Sequence, residues 1–442
     1  MLSPVKFISI VNMAITGIGA IVGIINARLL GPEAMGIVGV ILGIYSTVTS
    51  FVDVRLMDVL ARLYYQSEEV QYRGNVIRVF LIFSGLLSVL IWAIGFITAT
   101  VFGKYFTNVA IKPEWVAYSS FYFALNYWVA SVQYQQRFSE RFYLIGTWKF
   151  VSYLAWVTVF LGILVRQPSV DGYFRASFWG AIVSASAAVG LSTYIWIRYQ
   201  KFGIFSRNFT GVFGQYFGQV RLIFWGNILG YAKLLHRGSD ILLVGYFADD
   251  RITGLYKVAR SMADSALTFY DSMNQVYFPR FMQMLSKKEI PDFQKLARRA
   301  LSAAGALTLV IIVVEWVGLK YFVEYVLTTK FQGAELAIVI LSSTLFFLMG
   351  FHIWSMPIFI QSGRLMHFTG YSILAGLVQY LIVIIAFKTW IPSPALAALG
   401  YLGYYLFLTP CMLFLAYRIN PEPLTGLFHE TIFHKKVTNE FK

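Results

Sequence analysis

The sequence predicts an all-α, polytopic membrane protein of about twelve transmembrane helices, arranged as two pseudo-symmetric six-helix lobes around a central cavity. Three observations carry this. First, of 442 residues 58% are hydrophobic and only 13% charged, whereas a soluble domain carries roughly 25% charged residues. Second, apolar runs of bilayer-spanning length, about 20 residues each, recur along the chain. Third, the chain matches itself when slid by close to half its length, with Gly36 falling on Gly254.

The apolar runs fall at about 7–29, 35–61, 75–101, 115–136, 143–165, 176–197, 217–247, 252–280, 299–325, 333–361, 366–387 and 394–417. In hydrocarbon every backbone polar group needs a partner within its own segment, so such runs are helices. Loop chemistry separates them. Gly31-Pro32 divides the first pair, Ala248-Asp249-Asp250 the seventh from the eighth, and Ile391-Pro392-Ser393-Pro394 precedes the last. The N-terminal run has no small-residue cleavage site after it and reads as a first span. The 28 Tyr and 11 Trp suit interfacial belts at helix ends.

Cytoplasmic flanks of spanning helices are enriched in Lys and Arg. With the N-terminus inside, the inner flanks hold 22 of the 36 basic residues and the outer flanks ten. Both termini are therefore expected on the cytoplasmic side of the membrane. The same bias accounts for the net charge of +15, and no nucleic-acid partner is expected. The single Cys411 excludes a disulfide framework and a Cys-based metal site. No metal or other cofactor is expected. Catalytic motifs such as HExxH, GxSxG or a P-loop are absent, as are long loops to hold a soluble active site.

The self-match pairs Gly36 with Gly254, Phe51 with Phe269, Asp53 with Asp271 and Arg62 with Arg280. It also lays the turn at 29–36 on the turn at 247–254. Internal repeats of this kind build many transporters. The expected organisation is an N-terminal lobe at 1–200, a basic cytoplasmic linker at 201–213, a C-terminal lobe at 214–417 and a basic, aromatic tail at 418–442. The tail suits an interface with anionic lipid.

Ionisable side chains inside a membrane are costly and mark candidate sites. They concentrate on few spans. The first span ends in Arg28, and the second carries Asp53, Arg55 and Asp58. The seventh carries Lys233, His236, Arg237 and Asp240, spaced i, i+3, i+4, i+7, and the eighth Lys257, Arg260, Asp264 and Asp271 on one face. Such stripes line a watered cavity or a buried network. Arg55–Asp58 and Arg237–Asp240 also stand at i, i+3, and the alternative reading of each pair is two charges that neutralise each other. Glu315 stands alone in the ninth span.

The turn Ala27-Arg-Leu-Leu-Gly-Pro-Glu-Ala-Met-Gly36, the stretch Asp240-Ile-Leu-Leu-Val-Gly-Tyr-Phe-Ala-Asp-Asp-Arg-Ile-Thr-Gly-Leu-Tyr256 and Tyr277-Phe-Pro-Arg280 resemble the polysaccharide transport family. These are Wzx-type oligosaccharide flippases of the multidrug/oligosaccharidyl-lipid/polysaccharide exporter superfamily. The resemblance implies two lobes, alternating access and an undecaprenyl-pyrophosphate oligosaccharide, such as an O-antigen unit, moved to the outer leaflet. It implies coupling to H+ or Na+, contact with membrane lipids, and polysaccharide assembly proteins as partners.

In that setting Arg28, Arg55, Lys233, His236, Arg237 and Arg260 are the candidates to hold a pyrophosphate, Arg being suited by its planar fork. Asp53, Asp58, Asp240, Asp264 and Asp271 are the candidate coupling or cavity carboxylates. An exporter of small drugs or metabolites is the second reading. A lipid II flippase, with two extra helices, and a membrane polymerase, with a large outer loop, fit less well.

Overall fold

A computed structural model describes residues 4–52, 60, 63–64, 69–107, 111–136, 141–200, 214–216, 218, 227–228, 230–231, 234–236 and 238–425. Among the described residues the regular elements are helices. The longer ones are α1 (Pro4–Val52), α2 (Val70–Phe102), α3 (Pro113–Gln136), α4 (Phe142–Arg166), α5 (Val170–Ile195), α6 (Asp240–Phe247), α7 (Asp250–Ser286), α8 (Ile290–Tyr321), α9 (Glu335–Ser343), α10 (Ile353–Gln361), α11 (Leu365–Thr389) and α12 (Pro394–Ile419), with shorter helical pieces that include Phe322–Leu327, Leu348–His352 and Glu422–Thr425.

Among the described residues eight helical stretches are long and apolar enough to cross a bilayer, against twelve apolar runs in the sequence. The difference has physical causes. The first stretch, Ile10–Val52 with 43 residues, is about 65 Å long at 1.5 Å per residue, twice a bilayer core. It breaks at Gly31, whose φ of 79° and ψ of 171° only glycine adopts readily, followed by Pro32. It therefore holds the first and second expected spans. The fourth and eighth spans correspond to α3 and α7, which are too polar to qualify by composition. The seventh is described only in part, and the expected linker 201–213 lies outside the described residues.

The chain divides into two compact units, Met1–Val258 and Ala259–Lys442. In the first unit the second half of α1 is the core. Ile37, Val40, Ile41 and Tyr45 pack with Ala99 of α2, Trp115 of α3 and Phe174 of α5. The Tyr45 hydroxyl is buried and donates to the Val116 carbonyl at 2.9 Å, so this aromatic enters the core with its polar end satisfied. Between α3 and α5, the Asp171 carboxylate accepts Trp115 Nε1 at 2.6 Å and faces Lys112 Nζ at 3.1 Å. Ser169 caps α5 by accepting the Gly172 amide at 3.1 Å.

In the second unit α8 lies against α9 and the turn before α10, and α12 packs on both α9 and α11. Phe281, Phe293 and Trp354 are fully buried, with ring centroids 5.1 and 6.4 Å apart in sequence. By contrast Val310, Val313, Val314, Trp316 and Val317 of α8 are exposed, as are Leu86, Val89 and Ile97 of α2. Apolar faces of this extent suit lipid, not water.

Candidate functional site

In the first unit the second half of α1 meets the start of α7. Both segments begin just after a helix break and carry a glycine one turn in. A Cβ on Gly36 would stand 1.9 Å from the Asp250 carbonyl oxygen, and one on Gly254 would stand 1.7 Å from the Pro32 carbonyl oxygen. The contact is reciprocal. Asp250 and Gly254 are the repeat counterparts of Pro32 and Gly36, since the self-match that pairs the two glycines pairs these residues too. Small residues let helix backbones approach this closely in membranes. One turn further along, the aliphatic stem of Lys257 lies over Gly39.

Behind this crossing lies a buried polar pair. The seventh span is interrupted at Gly238, a turn residue with φ 127°, and resumes as α6 with Asp240 in its first turn. Interrupted helices at membrane depth occur where backbone lines a cavity or meets protein. Asp240 is 5% exposed. Its Oδ1 accepts the Gly238 amide at 3.2 Å and its Oδ2 accepts the hydroxyl of Tyr256, also buried, at 2.8 Å. The helix dipole favours a carboxylate at this position. His236 is buried as well. Arg28, also in this unit, is exposed on α1.

The second unit has its own cluster. Arg260 of α7 is buried. Its guanidinium carbon lies 3.9 Å from the centroid of Tyr401 on α12, and Nη2 lies 3.5 Å from Asp264 Oδ1. The Arg260 side chain is 7% exposed and that of Asp264 47%, so the pair runs from the interior outward. A desolvated guanidinium over a tyrosine face gains a cation–π attraction of about 2 kcal/mol. Tyr401 continues to Tyr405, at 5.6 Å, and the His352 ring stands 5.7 Å from Tyr405. His352 ends a π-helical turn, Leu348–His352, a distortion frequent at functional sites.

Of the expected site residues, Asp240 falls in the first cluster and Arg260 and Asp264 in the second, while His236 is buried in the first unit. Asp271 lies on α7, with its side chain outside the described residues. Asp53, Arg55, Asp58, Lys233 and Arg237 lie outside the described residues altogether. Tyr256 and Tyr401 were not anticipated. Each is one tyrosine among 28, and only the fold brings them to a charge. Among the described residues no cluster of three or more His, Cys, Asp or Glu could hold a metal ion.

Residues 2–285 match the family model described as polysaccharide biosynthesis protein. No curated protein matches the chain in sequence. Among solved structures, an inward-facing multidrug resistance MATE family transporter of the MOP superfamily is similar. It has TM-score 0.65 and 14% identity, over 94% of this chain and 98% of that one. The lipid II flippase MurJ in an inward closed conformation gives TM-score 0.66 at 11% identity, over 95% and 91%. The eukaryotic MATE transporter AtDTX14 gives 0.53 at 12% identity, over 96% and 97%. These neighbours share the all-α, multi-pass architecture expected from the sequence, and they are transporters and flippases, not enzymes. The chain is thus a multi-pass membrane protein that belongs to the polysaccharide biosynthesis protein family and carries the fold of the MOP superfamily.

Proposed function

We propose that this protein moves an undecaprenyl-pyrophosphate-linked oligosaccharide from the inner to the outer leaflet of the bacterial inner membrane by alternating access, driven by a cation gradient. The observation that carries the reading is the buried guanidinium of Arg260 in a chain of the polysaccharide biosynthesis family. A pyrophosphate crossing hydrocarbon needs cations around it, and desolvated charge-assisted hydrogen bonds are the strong ones. Arg28, Arg55, Lys233, His236 and Arg237 complete the proposed headgroup set. Asp53, Asp58, Asp240, Asp264 and Asp271 are the proposed carboxylates that return those cations to neutrality once the headgroup leaves. In this reading the lobes are 1–200 and 214–417, both termini are cytoplasmic, and the basic tail rests on anionic lipid.

The test is flipping in liposomes of a fluorescent undecaprenyl-pyrophosphate oligosaccharide, read with a membrane-impermeant quencher. Wild type is expected to equilibrate the lipid rapidly. Arg28→Ala and Arg237→Ala are each expected to slow it about tenfold, the loss of one charge-assisted hydrogen bond. A wild type that leaves the lipid in place under imposed proton and sodium gradients favours export of a small solute, for which the fold likeness to a multidrug transporter is the supporting observation.

A further inference from the structure

Glu315 belongs to neither cluster. It lies on α8, within the apolar stretch Ile290–Leu327, on the N-terminal side of Lys320. Its neighbours Val313, Val314, Trp316 and Val317 are exposed on the apolar face, but Glu315 itself turns toward α9. There the Ser342 hydroxyl donates to its Oε1 at 2.6 Å. The other oxygen, Oε2, is buried and has no hydrogen-bond partner among the described residues.

Among the described residues no cation balances this carboxyl. On α9 the only charged side chain is Glu335, which accepts the Gly333 amide at the helix start. The turn before α10 carries His352, set against Tyr405. Beyond the end of α8 stand Glu324 and Tyr325, and the short helix at its other end carries Glu422. On α8 itself the charged residues are Asp292, Lys295, Arg298, Arg299 and Lys320. Among the described residues none of these makes a hydrogen bond or ion pair with Glu315. A bare carboxylate with a buried, unpartnered oxygen in an apolar span is strongly disfavoured, so the position favours a carboxyl that has taken up a cation.

The number of ligands selects which cation. A hard metal ion collects about six oxygens, and among the described residues no group of three or more His, Cys, Asp or Glu stands here to supply them. A proton needs one. We propose that Glu315 is a proton-binding group of the transport cycle. The Oε2–H bond forms with a proton taken from water on one side of the membrane. It breaks when a change of conformation wets Oε2, and the proton leaves to water on the other side. Ser342 holds Oε1 throughout and keeps Oε2 as the reacting atom. The inference rests on the flippase reading and adds to it the coupling ion and a residue outside the aspartates named above.

Two measurements on the purified, reconstituted full chain test it. The first is an infrared difference titration, which needs no substrate. Acidification is expected to raise a carboxylic acid C=O band that is missing in Glu315→Gln and kept, at a shifted midpoint, in Ser342→Ala. The same band in wild type and Glu315→Gln overturns the proposal. The second is lipid flipping with and without an imposed pH gradient. The gradient is expected to raise the wild-type rate at least ~5-fold, a typical coupling, and to leave the rate of Glu315→Gln unchanged. A gradient response that survives in Glu315→Gln, or is missing from a wild type that does flip the lipid, also overturns it. If wild type flips nothing, the flippase reading fails by itself, and the infrared titration still decides the proton site.

Discussion

The turn at Gly31–Pro32 and the turn at Asp249–Asp250 are repeat counterparts, and they reach the same crossing by different chemistry. The first uses backbone freedom, since Gly31 takes a φ of 79° and Pro32 opens the next segment with its fixed φ. The second uses a side chain. Ala248 is extended, and the Asp249 carboxylate accepts the Ile252 amide at 2.7 Å, capping α7. The contrast deepens on either side. Asp240 and Tyr256, the buried hydrogen-bonded pair, have Val22 and Val38 as their counterparts in the first half, and both valines are buried in apolar clusters. The two turns meet in one reciprocal contact, and the buried polar pair stands beside only one of them.

The strongest way to break the comparison is to remove what both halves share. Gly36→Ala or Gly254→Ala puts a methyl group into a backbone carbonyl on the opposite segment. Backbone cannot swing aside as a side chain can. Each change is expected to cost about 3 kcal/mol or more, read as a lower unfolding temperature in detergent, together with a loss of flipping. Equal effects at both positions are expected from the reciprocal contact. A neutral Gly254→Ala beside a damaging Gly36→Ala sinks that expectation.

The next change sharpens the difference between the halves. Tyr256→Phe leaves Asp240 Oδ2 without its hydroxyl donor in a buried site, expected to cost roughly 1–3 kcal/mol. Val38→Ile, at the counterpart position, offers no polar group to strand, and its one added methylene is expected to cost about 1 kcal/mol, the low end for overpacking a core. The smallest effect is at the cap. Asp249→Ala is expected to lose about 1 kcal/mol, and Asp249→Asn, which keeps an acceptor, a few tenths. Thermal unfolding of these variants side by side checks the order.

Much of the fold was legible because its signals are local. Gly31-Pro32 and Ala248-Asp249-Asp250 announce breaks by composition, and the breaks are there. The repeat was legible from four identities, among them Gly36 and Gly254, but nothing in a sequence says that two glycines meet. Interruption of the seventh span at Gly238 and the π-helical turn at Leu348–His352 were not foreseen. Both sit inside apolar runs that read as continuous helix, and an i→i+5 turn has no residue signature.

The charged stripes pointed to the seventh and eighth spans, but not to the partners of their charges. Asp240 finds Tyr256 across a turn, and Arg260 finds Tyr401 from the far end of the chain. Glu315 was visible as a lone carboxyl. Its bond to Ser342 was not, since two helices have to lie together before a serine and a glutamate separated by 27 residues of sequence become neighbours.

The crossing at Gly36 and Gly254 is made of atoms that every residue possesses. It records almost nothing in side-chain identity beyond the requirement for two hydrogens. Mutation can therefore rewrite the rest of both segments without a compensating change across the contact. A junction of that kind ages well. It helps a chain keep one architecture while most of its side chains change.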